Sequence, residues 1–144
     1  MIITEMTKEH IDEVITINNL SFTTDAWNEQ GFYREFSLEY SRKWVGIEDN
    51  KVVVYAIFWC HGDEAFMMTF AVHPDYRSKG IAFSFLTEVF ELLKAQNIKY
   101  VELDVRKSNL PAINLYRKLG FKIERERPRF YSDGESAFVM SKEL

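Results

Sequence analysis

Val52-Val53-Val54-Tyr55-Ala56-Ile57-Phe58-Trp59-Cys60 is almost wholly apolar. A run of this length, rich in β-branched and aromatic residues, reads as a strand. It has no polar alternate face, so it belongs at the centre of a sheet with layers above and below. Lys43–Ile47 reads as its hairpin neighbour through Glu48-Asp49-Asn50-Lys51. Glu64–Val72 follows as a further strand through His61-Gly62-Asp63.

The remaining segments supply those layers. Residues 2–4 read as a short strand. Ile11, Val14, Ile15 and Ile17 have helical spacing, with Thr7 as N-cap. A second helix is expected from Trp27 to about Leu38, capped by Asp25 or Thr24. From Gly80 to about Asn97, Ile81, Phe85, Leu86, Val89, Phe90 and Leu93 make one apolar stripe. In the strand Lys99–Arg106, Val101, Leu103 and Val105 point one way and Glu102, Asp104 and Arg106 the other. A helix over Asn109–Leu119 has Ser108 or Asn109 as cap, Pro111 near its start and Gly120 at its end. Phe121–Arg125 and Ala137–Lys142 close the chain as strands. The order predicts a mixed α/β fold in a single domain over residues 1–144, with a right-handed parallel β-α-β crossover at 65–105.

A length of 144 residues allows one sizeable core. The net charge of −4 argues against a general nucleic-acid binder, which presents a basic face. It suits a cationic partner if carboxylates line a cleft, or solubility alone. No run approaches the roughly 20 apolar residues of a membrane span. Met1-Ile2-Ile3-Thr4-Glu5 lacks the basic region and apolar core of a signal peptide. The single Cys60 excludes an internal disulfide and fits a reducing cytosol, so a cytoplasmic protein is expected. His10, His61 and His73 are scattered, and no metal site is expected.

Ala71-Val72-His73-Pro74-Asp75-Tyr76-Arg77-Ser78-Lys79-Gly80-Ile81-Ala82 carries the strand Glu64–Val72 through a tight loop into the long helix. A helix start behind small residues presents free N–H groups and the positive end of a dipole. Arg77, Ser78, Lys79, Gly80, Ile81 and Ala82 are therefore candidates to cradle a phosphate or pyrophosphate, unless the loop is only a turn. Neither G-x-x-x-x-G-K-[ST] nor G-x-G-x-x-G is present, which disfavours a nucleotide phosphate binder.

Arg77-x-x-Gly80-x-Ala82 resembles the R/Q-x-x-G-x-G/A signature of the GNAT family, the Gcn5-related N-acetyltransferases. Leu103-x-Val105-Arg106-x-x-Asn109-x-x-Ala112-Ile113-x-Leu115-Tyr116-x-x-x-Gly120-Phe121 is similar to that family's L-x-V-R-x-x-N-x-x-A-I-x-L-Y-x-x-x-G-F segment. The tail from Arg127 to Met140 resembles the ending of the amino-terminal acetyltransferases, among them the ribosomal-protein-alanine enzymes of the RimI type. Asp63-Glu64-Ala65 and Asp25-Ala26-Trp27 fit the same subgroup. Phe130, Ser136 and Ala26 depart from its preferred Tyr, Asp and Pro.

The resemblance implies a GNAT fold: a mixed sheet of about seven strands with flanking helices, and acetyl-CoA in a gap where Glu64–Val72 and Lys99–Arg106 splay apart. It implies direct transfer of an acetyl group to a primary amine in a ternary complex. A protein N-terminal α-amine, ribosomal-protein alanine foremost, is the leading acceptor. The alternatives are a small-molecule amine or lysine as acceptor, or a non-catalytic acyl-CoA sensor. Backbone N–H groups near Phe70, Ala71 and Val72 are implied at the developing oxyanion. Asn109 and Asn114 are candidates to hydrogen-bond the cofactor, or else a helix cap and a surface residue.

Such chemistry needs a base for the amine and an acid for the leaving thiolate. Tyr116 matches the family's Tyr and is the candidate acid; its other reading is an aromatic packed on the sheet. Asp104 stands where RimI-type enzymes carry a Glu proposed as base. It is one methylene shorter and needs burial or a bridging water. Arg106 on the same face would lower its pKa, and a structural pairing of Asp104 or Glu102 with Arg106 is equally open. Glu64 is the alternative base, or an exposed strand end. Trp27, Phe130 and Tyr131 are candidates for an aromatic rim, and Arg125, Arg127 and Arg129 for a solvated edge.

Overall fold

The computed structural model describes Met1–Leu144. Seven strands form one sheet in the order β1-β2-β3-β4-β5-β7-β6. They are β1 (Ile2–Glu5), β2 (Ser41–Glu48), β3 (Lys51–His61), β4 (Glu64–Val72), β5 (Tyr100–Arg106), β6 (Lys122–Arg127) and β7 (Ala137–Glu143). All neighbours are antiparallel except β4 and β5, which are parallel. The helices are α1 (Ile11–Ser21), α2 (Glu29–Arg34), α3 (Ile81–Ala95) and α4 (Leu110–Lys118). This is the expected mixed α/β fold.

β3 is buried on both faces, as its composition requires. Val54, Ala56 and Phe58 join a core with Phe85, Leu86, Val89, Phe90 and Leu93 of α3 and Ile113 of α4. Tyr55 and Ile57 join a second core with Ile11, Val14 and Ile17 of α1 and Phe32 of α2. Alternation along one strand thus serves two layers. At the β2–β3 turn, Asp49 and Asn50 both have positive φ (51° and 61°). Short polar side chains tolerate that conformation, which matches the right-handed strand twist.

Two expectations need correction. The second helix is shorter, Glu29–Arg34 followed by a 3-10 turn, and its cap is Asn28, not Asp25 or Thr24. The Asn28 side chain accepts the Gly31 N–H at 2.7 Å, while Asp25 and Thr24 bond elsewhere. Thr7 opens a 3-10 turn, Lys8–His10, ahead of α1.

Gly46 on β2 lies where the layers meet. A Cβ there would stand 2.5 Å from Val54 Cγ1 and 3.2 Å from Phe85 Cδ1. Gly46→Ala is expected to destabilise the fold by about 1–3 kcal/mol through overpacking. Chemical denaturation checks this; unchanged stability would contradict the packing.

Candidate active site

β5 pairs with β7 along its whole length, from Tyr100↔Glu143 to Arg106↔Ala137. β4 pairs with β3 out to Val72, with Met68 as an extra, bulged residue between Met67 and Thr69. Between themselves, β4 and β5 pair only from Glu64↔Tyr100 to Met67↔Leu103. Beyond Met67 the two strands part. The His73 N–H donates to Val53 O at 2.7 Å, which fixes the antiparallel alternation. Phe70 and Val72 therefore turn their N–H and C=O groups to the open edge. Val72 O is taken by Arg77 Nε at 3.0 Å. Ala71 turns its polar groups toward β3 instead.

The loop after β4 ends at the start of α3. Ser78 and Gly80 both have positive φ (61° and 76°). No backbone N–H from Ser78 to Phe83 donates to another protein group. A Cβ on Gly80 would meet nothing within 4 Å, so the loop is open to whatever approaches. Ile81 and Ala82 form the first turn of α3. The expected charge of Arg77 does not overhang this loop: its guanidinium turns back to Val72 O and donates to Ser21 Oγ at 2.9 Å. Lys79 is exposed, its ammonium 5.4 Å from the Tyr76 ring centre.

Asp104 is the first β5 residue beyond the last β4 pair, at the vertex of the parting. It lies opposite the face of Leu103 and Val105, toward the α1–α2 layer. Burial raises its carboxyl pKa above the ordinary value, against the pull of the neighbouring Arg127. The expected Asp104–Arg106 pairing is not formed. Arg127 Nε donates to Asp104 Oδ1 at 3.1 Å instead, and Arg127 also lies 3.8 Å from Glu102. Arg125 approaches Glu102 as well, at 3.5 Å. The β6 arginines reach β5 because the intervening β7 residues on that face are Ala137, Val139 and Ser141. Arg125 and Arg129 nonetheless remain exposed on or beyond the edge strand, as their alternation suggested, and only Arg127 is drawn partly inward.

Arg106 is a hub of its own. Its guanidinium donates to Asp133 and Glu135 at 2.9 Å, to Thr24 Oγ1, and to Asp25 at 3.4 Å. Its carbon lies 4.1 Å from the Tyr131 ring centre. Two loops, α1–α2 and β6–β7, are thereby drawn over the end of β5. The Ser132 N–H adds a bond to Asp25 at 3.2 Å. The pattern of sequence alone paired Arg106 with its own strand and missed this role.

Tyr116 approaches from the opposite layer, in the core with α3. Burial pushes its phenol pKa up, and the Tyr131 phenol adds to the effect. Tyr131 itself is pushed up to about 12 by burial and by Asp104. Asp104, Tyr131 and Tyr116 thus share one electrostatic neighbourhood. Glu64 does not join it. It is exposed at the closed end of the parallel ladder, paired with Tyr100. Four residues of strand, about 13 Å, separate that point from Asp104. Asn109 caps α4, its Oδ1 accepting the Ala112 N–H at 3.2 Å. Asn114 is exposed on α4.

The profile of the Acetyltransferase (GNAT) family matches residues 11–121. The chain belongs to that family. GNAT enzymes use acetyl-CoA as co-substrate, and the chain is an acetyl-CoA-dependent N-acetyltransferase. An N-alpha-acetyltransferase of Saccharolobus solfataricus is 34% identical over 150 residues, covering 94% of this chain and 89% of that protein. The ribosomal protein bS18-alanine N-acetyltransferase of Escherichia coli K12 is 31% identical, covering 92% and 86%. The crystal structure of the ribosomal-protein-S18-alanine N-acetyltransferase from Escherichia coli superposes with a TM-score of 0.90 at 27% identity, covering 99% and 93%.

The GNAT co-substrate fits what this chain presents: unpartnered N–H groups at a helix start suit a pyrophosphate, and the open edge of β4 suits an extended amide chain.

Because burial favours its neutral form, Asp104 adds stability below the ordinary carboxylate range and loses it as pH rises through its raised folded value. A carboxyl titration followed by NMR is expected to place its midpoint above 3.8, the unshifted value. Arg127→Ala is expected to move it further up; a downward move would contradict the ion pair.

Proposed function

We propose that this chain acetylates protein N-termini, with an N-terminal alanine, of ribosomal-protein type, as the preferred acceptor. The observation that carries this reading is the parting of β4 and β5 with Asp104 at its vertex. The names of the two curated relatives point to the same acceptor class. Three carboxylates, Asp25, Asp133 and Glu135, also surround Arg106 beside the gap. That balance suits an arriving ammonium group. Residues 1–144 act as one domain in this proposal, and its setting is the cytoplasm.

Acetyl-CoA supplies a thioester whose carbonyl carbon the amine attacks. The N–H groups of Ser78–Phe83 hold the pyrophosphate, and the Phe70 and Val72 N–H groups receive the pantetheine arm and the charge developing on the carbonyl oxygen. An α-amine has a pKa near 8, so its deprotonation near neutral pH is a mild demand. Asp104 takes that proton, directly or through one water, aided by its raised pKa. As the new C–N bond forms and the C–S bond breaks, Tyr116 donates its proton to the departing thiolate, and the bonded nitrogen sheds its second proton, through solvent, back to the Tyr116 phenolate. Glu64, distant and exposed, has no part in this scheme. Asn109 acts through α4, as its cap.

Turnover read as free thiol, on peptides with free or blocked N-termini, free lysines and small polyamines, tests the acceptor. Activity confined to free N-termini, alanine first, is expected; turnover on lysine or polyamines alone would overturn the acceptor claim. Tyr116→Phe is expected to lower kcat by about a hundredfold with acetyl-CoA affinity nearly unchanged. Full activity would remove Tyr116 from the mechanism. Gly80→Glu puts bulk and negative charge in the cradle, and is expected to weaken acetyl-CoA binding at least about tenfold. Unchanged affinity by calorimetry would sink the cradle.

A further inference from the structure

The α1–α2 layer packs a polar chain within an apolar core. Asn18 and Tyr55 are fully buried and Thr69 nearly so. The Tyr55 and Thr69 hydroxyls are 2.9 Å apart. The Tyr55 O–H points to Asn18 Oδ1 at 3.5 Å, the longest link. Asn18 Nδ2 in turn donates to the Trp27 carbonyl at 2.9 Å. With the Thr69 O–H donating to Tyr55, every proton runs one way, from β4 to the α1–α2 loop. Around it lie Ile17, Phe32 and Ala71, and the Phe32 ring meets Tyr55 edge-on at 6.0 Å.

Both ends of this chain matter. Thr69 sits between the Met68 bulge and Phe70, whose N–H and C=O face the open edge. Trp27 belongs to the loop that Arg106 holds through Thr24 and Asp25. Buried polar groups contribute little net stability over well-packed apolar ones, but they tolerate few alternative geometries. An all-apolar core would hold α1 against β3 and leave the loop free to shift along β4.

We propose that Thr69, Tyr55 and Asn18 are positioning residues that hold the α1–α2 loop in register with the open edge of β4. None touches the reacting atoms. Through them the place of the acceptor is tied to the strand that receives the acetyl group, an extension that rests on the function proposed above.

The test compares Thr69→Val, Thr69→Ser and Tyr55→Phe with the parent chain by amide hydrogen exchange and by steady-state kinetics on a free N-terminal peptide. Thr69→Val and Tyr55→Phe are expected to speed exchange at least tenfold at Phe22 and Ser132, the amides bonded to Asn18 O and to Asp25. They are also expected to lower kcat/KM for the peptide by a similar factor, with KM for acetyl-CoA within twofold. Thr69→Ser keeps the hydroxyl and is expected to restore both. Unchanged exchange at Phe22 and Ser132 in Thr69→Val, whatever its melting temperature, overturns the proposal. So does failure of Thr69→Ser to rescue, which leaves the side chain only a packing role. Should Tyr55→Phe fail to fold, the Thr69 pair decides alone. A parent chain inactive on every peptide would sink the acceptor reading, while the exchange comparison still decides the coupling.

Discussion

A strand has two edges, and each buried N–H and C=O along them needs a partner. β4 meets this demand on one side by pairing with β3 out to Val72. On the other side it pairs with β5 only as far as Met67. β5 stays with the other half of the sheet, its far edge engaged with β7 along its full length. The two halves of the sheet diverge from that point, and the main-chain groups of Phe70 and the N–H of Val72 are left for a guest, Val72 O being held by Arg77. Most of the functional geometry depends on this parting. α3 begins just past the end of β4, which brings its unpartnered N–H groups to the same opening.

The charged groups around the opening are organised by two arginines with different tasks. Arg127 reaches over the small side chains of β7 to Asp104, opposing but not cancelling the effect of burial on that carboxyl. Arg106 gathers Thr24, Asp25, Asp133 and Glu135, drawing two loops over the end of β5. It leaves an excess of negative charge beside Tyr131. A cationic acceptor and a carboxyl with a raised pKa are mutually consistent features of one site.

Much of this was legible before any coordinates. β3 announced its central place because it lacks a polar face, and β4 and α3 followed from uninterrupted patterns. Gly80 was legible because a residue without a side chain leaves room for a ligand at the helix start. The parting of β4 and β5 came through family resemblance, since no local pattern encodes where a ladder stops. Asp104 was paired with the wrong arginine because alternation reports which face a residue occupies, not the register of strands that are distant in sequence. Arg127 lies two strands away in the sheet, and only the small residues of β7 let it arrive. The buried chain from Thr69 to Trp27 was equally hidden, because Tyr55 and Asn18 look like ordinary members of apolar periods. Glu64 was read as an alternative base or an exposed strand end; its strand enters the gap from the other end, and its exposure there fits the second reading.

The most direct measurement is a backbone amide NMR titration of the protein with acetyl-CoA. The largest shifts are expected at Phe70, Val72 and Ser78–Phe83, with little change along Glu64–Met67, where the parallel ladder is closed. Shifts concentrated away from the parting, with the Phe70 and Val72 amides unmoved, would contradict binding there.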